Sequence, residues 1–456
     1  MILYPKKGEL HLRKTVFILL AAVIAVSLAL AGCSKREGSG NGGASGDTRT
    51  AGSTSSSSDN SASDNAGSGD KKRITVYGTA ADKAVQDVYE EIAQAFMKEN
   101  PDIEVDLQFP GSEYENILKV KMAANDLPDV WDTHGWAIIR YGNYLADLRD
   151  EVWVSEMTDT IRDVVTSGDG KVHALVLAEA KDGLTYNADL LRQYNIEPPR
   201  TIDELMAAAE KLKTESNGEV MPFYFSGIDD WMVGQFFDYF ATSLLISPQQ
   251  NEAENLLSGT MDWDKWTPLA ETFLEMYKKG YMNKDVLTAK YSDLPTLFAQ
   301  GKVAFTLLGP SLADEVHKIN PDVEIGLMPV PAWYPDDEPN FSGGERYTMG
   351  VWKDSKHPAE ARKLVAYFAK PENLAKFANV TKLPAGLKGI EANHEFTEYY
   401  RKYENIRVFP YFDRVYLPNG MWDVMCKTGT ALLAEQVTPQ QFSEKMKQEV
   451  ERLSNK

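Results

Sequence analysis

Three short stretches of this 456-residue chain set an indole beside a carboxylate: Trp131-Asp132, with His134 and Trp136 close behind, then Asp229-Asp230-Trp231, then Met421-Trp422-Asp423. An ionised acid takes strong hydrogen bonds from hydroxyl groups. An indole offers a large, rigid apolar face to C–H groups. The combination suits a guest with hydroxyls on its rim and C–H bonds on its faces, which is how a sugar is built. Glu179 and Asp182 supply two more acids in the run Glu179-Ala180-Lys181-Asp182-Gly183. Gly343-Gly344 would let the backbone approach a ligand closely.

Each of these residues also has a plainer reading. Tryptophan is more often a core residue than a binding platform, and Trp153, Trp263, Trp266, Trp333 and Trp352 are expected in the core or at the surface. Asp132, Asp182 and Asp230 would serve equally to cap helices or turns. Adjacent Glu345 and Arg346 read as a local ion pair. Other chemistries find less support. His134, His173, His317, His357 and His394 lack the spacing of metal ligands. Asp262-Trp263-Asp264 opens like a calcium loop, but Thr267 stands where glycine is needed and Phe273 where glutamate is needed. There is no Gly-x-Ser-x-Gly nucleophile motif. Neither metal nor cofactor is expected. The net charge of −19 repels nucleic acid phosphates, so no nucleic acid partner is expected.

The elements that would position these residues alternate between strand and helix. Ile74 to Tyr77 reads as a strand, Asp82 to Asn100 as an amphipathic helix, and Ile103 to Phe109 as a second strand. A helix from Glu113 to Ala124 and a strand at Pro128 to Val130 follow, so Trp131 to Trp136 falls just past a strand end. Ligands bind beyond the carboxyl ends of strands in parallel α/β sheets. The alternation restarts after Lys181. Thr201-Ile202-Asp203-Glu204 is a capping box that opens a helix. Further helices are predicted at 236–245, 294–300, 358–370 and 439–453, and strands at 221–225, 303–308, 323–327 and 347–352.

The start of the chain bears on location. Lys6, Lys7, Arg13 and Lys14 lead into an apolar run from Val16 to Leu30, the pattern of a secretory signal peptide over 1–32. Leu30-Ala31-Gly32-Cys33 resembles the lipobox of bacterial lipoproteins, which implies a lipidated Cys33 and attachment at the extracellular face of the cell membrane. Two acyl chains suffice for stable anchoring. Ser34 to Asp70 holds no Val, Ile, Leu, Met or aromatic residue, so 33–70 is expected to act as a disordered tether. Cys426 is the only other cysteine and reads as a buried apolar residue.

Several ordered pieces carry a broader resemblance. They are Lys171-Val172-His173-Ala174-Leu175 through Thr185-Tyr186-Asn187, with Val176 in place of a usual proline, and Pro199-Arg200-Thr201-Ile202-Asp203-Glu204-Leu205. Phe298 to Phe305, Gly343-Gly344 and Ser355 to Ala361 complete the set. Their order resembles the family 1 extracellular solute-binding proteins of bacterial carbohydrate importers. The resemblance implies a type II periplasmic-binding-protein-like α/β fold, with two lobes joined by crossing strands and a ligand cleft between them. It implies a monomer that captures a mono- or oligosaccharide, delivers it to the permease subunits of an ABC importer, and does no chemistry. It places ligand contact at Trp131, Asp132, His134, Trp136, Glu179, Asp182, Asp230, Trp231, Gly343, Gly344 and Trp422. Lobe one is expected over 71–180 plus 304–350, and lobe two over 184–300 plus 352–456. Two rival readings are an exported glycosidase or lyase, with Glu179 and Asp182 as acid and base, and a binding protein for a polyamine or peptide.

Overall fold

The computed structural model describes residues 71–454, so the expected leader, Cys33 and tether lie outside the described residues. Among the described residues, ten strands form two sheets. They are β1 (Lys72–Tyr77), β2 (Ile103–Gln108), β3 (Val130–Trp131), β4 (Leu175–Asp182), β5 (Leu184–Asn187), β6 (Met221–Phe223), β7 (Val303–Thr306), β8 (Ile325–Met328), β9 (Phe341–Val351) and β10 (Val408–Pro410).

In the first sheet the order is β10-β9-β3-β1-β2, with β4 also paired to β9. β1 runs parallel to β2 and β3, whereas β9 runs antiparallel to β3 and β4. The parallel strands follow from their crossover helices. Helix Lys83–Glu99 turns Val85, Tyr89, Ile92, Ala93 and Phe96 inward at helical spacing. The Asp82 side chain caps its N-terminus by accepting from the Ala84 amide at 2.8 Å. The second sheet has the order β6-β7-β5-β8. Helix Trp231–Leu245 belongs to the same lobe, is buried along nearly its whole length and packs against helices Met421–Leu433 and Thr267–Lys278.

The chain passes between the two sheets three times. β4 runs straight into β5 through Gly183. A Cβ on Gly183 would stand 2.1 Å from the Met328 carbonyl oxygen, so only glycine fits this junction. β9 carries the chain back, and the segment between helices Pro371–Thr381 and Thr397–Lys402 makes the third passage. Each sheet has its own apolar core.

This pairing differs from the expected split. Residues 304–306 and 325–328 are expected in lobe one, yet β7 and β8 pair with β5 in the second sheet. Residues 358–381 were assigned to lobe two, yet Leu364, Phe368, Leu374 and Phe377 sit in the core of the first sheet. The third passage is the reason: it lies after residue 381, not at 352. We take lobe one as about 71–182 plus 344–381 and lobe two as about 183–342 plus 396–454.

Candidate functional site

A cleft of about 860 Å³ lies between the lobes. Its floor is made by Asp182 at the end of β4 and by Glu345, Arg346 and Tyr347 on β9. Lobe one contributes Glu115, His134 and Trp136; lobe two contributes Trp231, Tyr291, Tyr411, Arg414 and Trp422. A smaller hollow of about 250 Å³ adjoins it and shares Glu115, Trp136, Asp413 and Trp422.

On the lobe-one wall, His134 adopts a left-handed backbone (φ 47°) and its Nδ1 lies 2.9 Å from Glu115 Oε1. Burial alone would raise the Glu115 pKa, but hydrogen bonding by His134 and the charge of Arg140 outweigh it and hold the carboxyl below its usual range. The Arg140 guanidinium lies 3.8 Å from the Trp136 ring centre and donates across the lobes to Asn419 at 2.7 Å. Gly135 has φ 89°, and a Cβ there would meet Arg414 Nη1 at 2.2 Å, so this glycine leaves room for an arginine reaching in from lobe two.

On the lobe-two wall, Trp231 begins helix Trp231–Leu245 and its ring centre lies 5.4 Å from that of Tyr291. Trp422 occupies the first turn of helix Met421–Leu433 and packs over Gly234, where a Cβ would stand 3.4 Å from the indole. Asp182 accepts a hydrogen bond from the Tyr411 hydroxyl. Its pKa is raised by burial, against the opposing pull of Arg346 and that hydrogen bond. Asp238 and Asp413 form a buried acid pair, and Asp238 Oδ1 accepts from the Asp413 amide at 2.8 Å. Burial pushes both carboxyls up, Asp238 well above its usual range.

Five residues proposed from the sequence line the cleft: His134, Trp136, Asp182, Trp231 and Trp422. The other six stand elsewhere. Trp131 is fully buried among Tyr114, Leu118, Tyr141 and Leu145, and the loop after β3 brings His134 and Trp136 to the cleft instead. Asp132 is buried and ties that loop to β9: its Oδ1 accepts from the His134 amide at 2.9 Å and from Thr348 Oγ1 at 2.9 Å. Glu179 accepts from Thr158 Oγ1 at 2.8 Å, away from the cleft lining. Asp230 precedes its helix outside the lining, with Asp423 as a charged neighbour. Gly343 and Gly344 serve strand packing, since a Cβ on Gly343 would stand 1.8 Å from the Ala180 carbonyl oxygen and Gly344 has φ 135°. Glu345 and Arg346, read as a local ion pair, form none among the described residues.

The sequence pattern did not single out Glu115, Tyr291, Tyr411, Asp413 and Arg414, and it gave Glu345 and Arg346 only the ion-pair reading. Tyr411 to Arg414 lie around helix Phe412–Tyr416, too short to show any periodicity. The aromatic and charged run Tyr411-Phe412-Asp413-Arg414 was the available signal.

The chain belongs to the family described as bacterial extracellular solute-binding protein, whose pattern it matches over residues 80–375. It is 45% identical over 384 residues to the melibiose/raffinose/stachyose-binding protein MelE of Bacillus subtilis (strain 168), covering 84% of this chain and 90% of that one. Among solved structures it resembles a B. subtilis binding protein in an open conformation, with TM-score 0.81 and 44% identity over 84% of this chain and 98% of that one. It also resembles a sugar transporter protein of Bacillus licheniformis in complex with stachyose, with TM-score 0.75 and 49% identity over 84% of this chain and all of the other.

Proposed function

We propose that this protein captures an oligosaccharide of the melibiose, raffinose and stachyose series outside the cell and passes it to the membrane subunits of an ABC importer, without altering it. The observation that carries this reading is the composition of the cleft. Three indoles, Trp136, Trp231 and Trp422, line one space together with Asp182, Glu345, Arg346 and Arg414. Indole faces pack against sugar C–H surfaces, while the acids and arginines exchange charge-assisted hydrogen bonds with hydroxyls. The likeness to a sugar-binding relative and to a stachyose-bound structure supports the same class of ligand. The adjoining hollow beside Trp136 and Trp422 gives room for a ligand longer than one sugar ring.

In this reading Trp136 meets the ligand from lobe one, and Trp231 and Trp422 from lobe two. His134 and Asp182 supply polar contacts. Trp131, Asp132, Glu179, Asp230, Gly343 and Gly344 support the site rather than touch the ligand. Delivery follows from lobe closure about the crossing strands. A lipidated Cys33 and a tether over 33–70 would hold a monomeric body at the outer face of the membrane.

Titration calorimetry with stachyose, raffinose and melibiose tests the proposal. Saturable heat with at least one of them is expected. Heat with none, together with release of shorter sugars from the same substrates, would overturn it in favour of an enzyme.

A further inference from the structure

Glu345 is a carboxylate without a complete set of partners, placed where the bound guest must lie. It stands on the crossing strand β9 in the cleft floor and is 5% exposed. Its Oε1 is buried and has no hydrogen-bond partner. A buried polar atom left in this way costs free energy unless something fills it. The groups around it are few. Arg414 approaches from helix Phe412–Tyr416, Asp132 from the loop after β3, and Glu179 stands opposite it in the register with β4. Arg346 and Tyr347 follow on its own strand. Among the described residues none of these donates to Oε1. Among the described residues Arg414 forms no ion pair either; it lies 4.4 Å from the Tyr411 ring centre and 5.2 Å from that of Trp136.

Resting on the sugar-binding reading, we infer that Glu345 is a proton-linked acceptor for the ligand: a sugar hydroxyl donates to its empty oxygen, and capture drives the Glu345 proton into solvent. The hydroxyl keeps its own hydrogen, and the departing proton goes to water or buffer, so no other reactant is needed. The charge of Arg414, which lines the same cleft, favours the ionised form. Burial holds the empty site's carboxyl up at about 7, so near neutral pH a sizeable share of molecules carry the proton that the ligand displaces. The unfilled oxygen thus becomes a specificity element. It rewards a guest with a hydroxyl at that point and is left unsatisfied by one without.

The experiment is calorimetric titration of the full chain with raffinose at about pH 6, 7 and 8, each in two buffers of different ionisation enthalpy. Wild type is expected to release a fraction of a proton per ligand near pH 7, with affinity falling by up to about tenfold per pH unit below it. Glu345→Gln is expected to bind more weakly at pH 8, with no proton release of this origin. His134 also lines the cleft, so His134→Asn is run in parallel; release that vanishes in that variant and persists in Glu345→Gln overturns the assignment. Arg414→Gln guards against a misfolded glutamine variant. Its loss should move the pH of maximal release upward, and an unmoved maximum also overturns the assignment. Binding without proton exchange sinks this inference alone, whereas absence of binding at every pH sinks the sugar reading beneath it.

Discussion

Two tryptophans five residues apart in sequence have opposite fates. Trp131 is wholly enclosed by lobe-one side chains, while Trp136 opens on the cleft beneath the Arg140 guanidinium. The difference predicts separable losses. Trp231→Ala and Trp422→Ala should each weaken sugar binding by about 2 kcal/mol or more, the scale of a lost aromatic anchor, with calorimetry as the check. Trp131→Ala should instead cost about 3–5 kcal/mol of stability in denaturant unfolding, the usual penalty for emptying a buried aromatic site. A second prediction concerns Glu345. Its ordinary value is 4.5, and burial, against the pull of Arg414, raises it to about 7. Between these values the folded protein holds a proton that the unfolded chain has lost. The stability this contributes is full below about pH 4.5 and fades as pH rises to about 7. Glu345→Gln should therefore melt above wild type at pH 8, by up to about 3 kcal/mol, with the gap closing in acid. Thermal melts of the ligand-free proteins across pH would show it.

Among the elements, the helices were the easiest to read. Lys83–Glu99, Ile202–Glu215 and Pro439–Ser454 each bury one stripe at helical spacing, and the first two also carry side-chain caps. The crossing strands were harder. β4 is almost uniformly buried, so it has no alternation to mark its faces. β9 contains Gly344 at φ 135° and Tyr347 at φ 54°, which break the two-residue period. Helix Met421–Leu433 begins at Gly420 with φ 101° and has apolar residues around much of its circumference, so its pattern did not announce a helix. Pattern alone also cannot say which of two sheets a strand will join, and that is why β7 and β8 were misplaced. The junction between β4 and β5 gives a prediction at this scale. Gly183→Ala forces a methyl group against the Met328 carbonyl. A loss of about 1–3 kcal/mol is expected in denaturant unfolding, comparable to overpacking in a core.

At the scale of the molecule, Arg140 of lobe one reaches Asn419 of lobe two, and Lys382 in the third passage pairs with Asp314 of lobe two. Ligand held by both lobes adds its binding free energy to the folded state. Stachyose at about one hundred times its dissociation constant should stabilise the protein by about 2.7 kcal/mol, visible as a raised melting temperature. A melting temperature that ignores every sugar of the series would count against capture between the lobes. The cleft was legible in the sequence at its aromatic rim, where indoles sit beside acids. Its floor was not, because Glu345 and Arg346 come to line the cleft only through the pairing of β4 with β9, which joins Glu179 to Glu345 in register across more than 160 residues of chain.

The threefold passage of the backbone has a consequence for how this protein can be made or divided. Its first sheet needs β9, which arrives only after the second sheet is complete, and the second lobe needs helices that follow the last return. Neither half of the gene therefore encodes an independent module, and an amino-terminal fragment leaving the ribosome must wait for almost the entire polypeptide before either jaw can close its own interior.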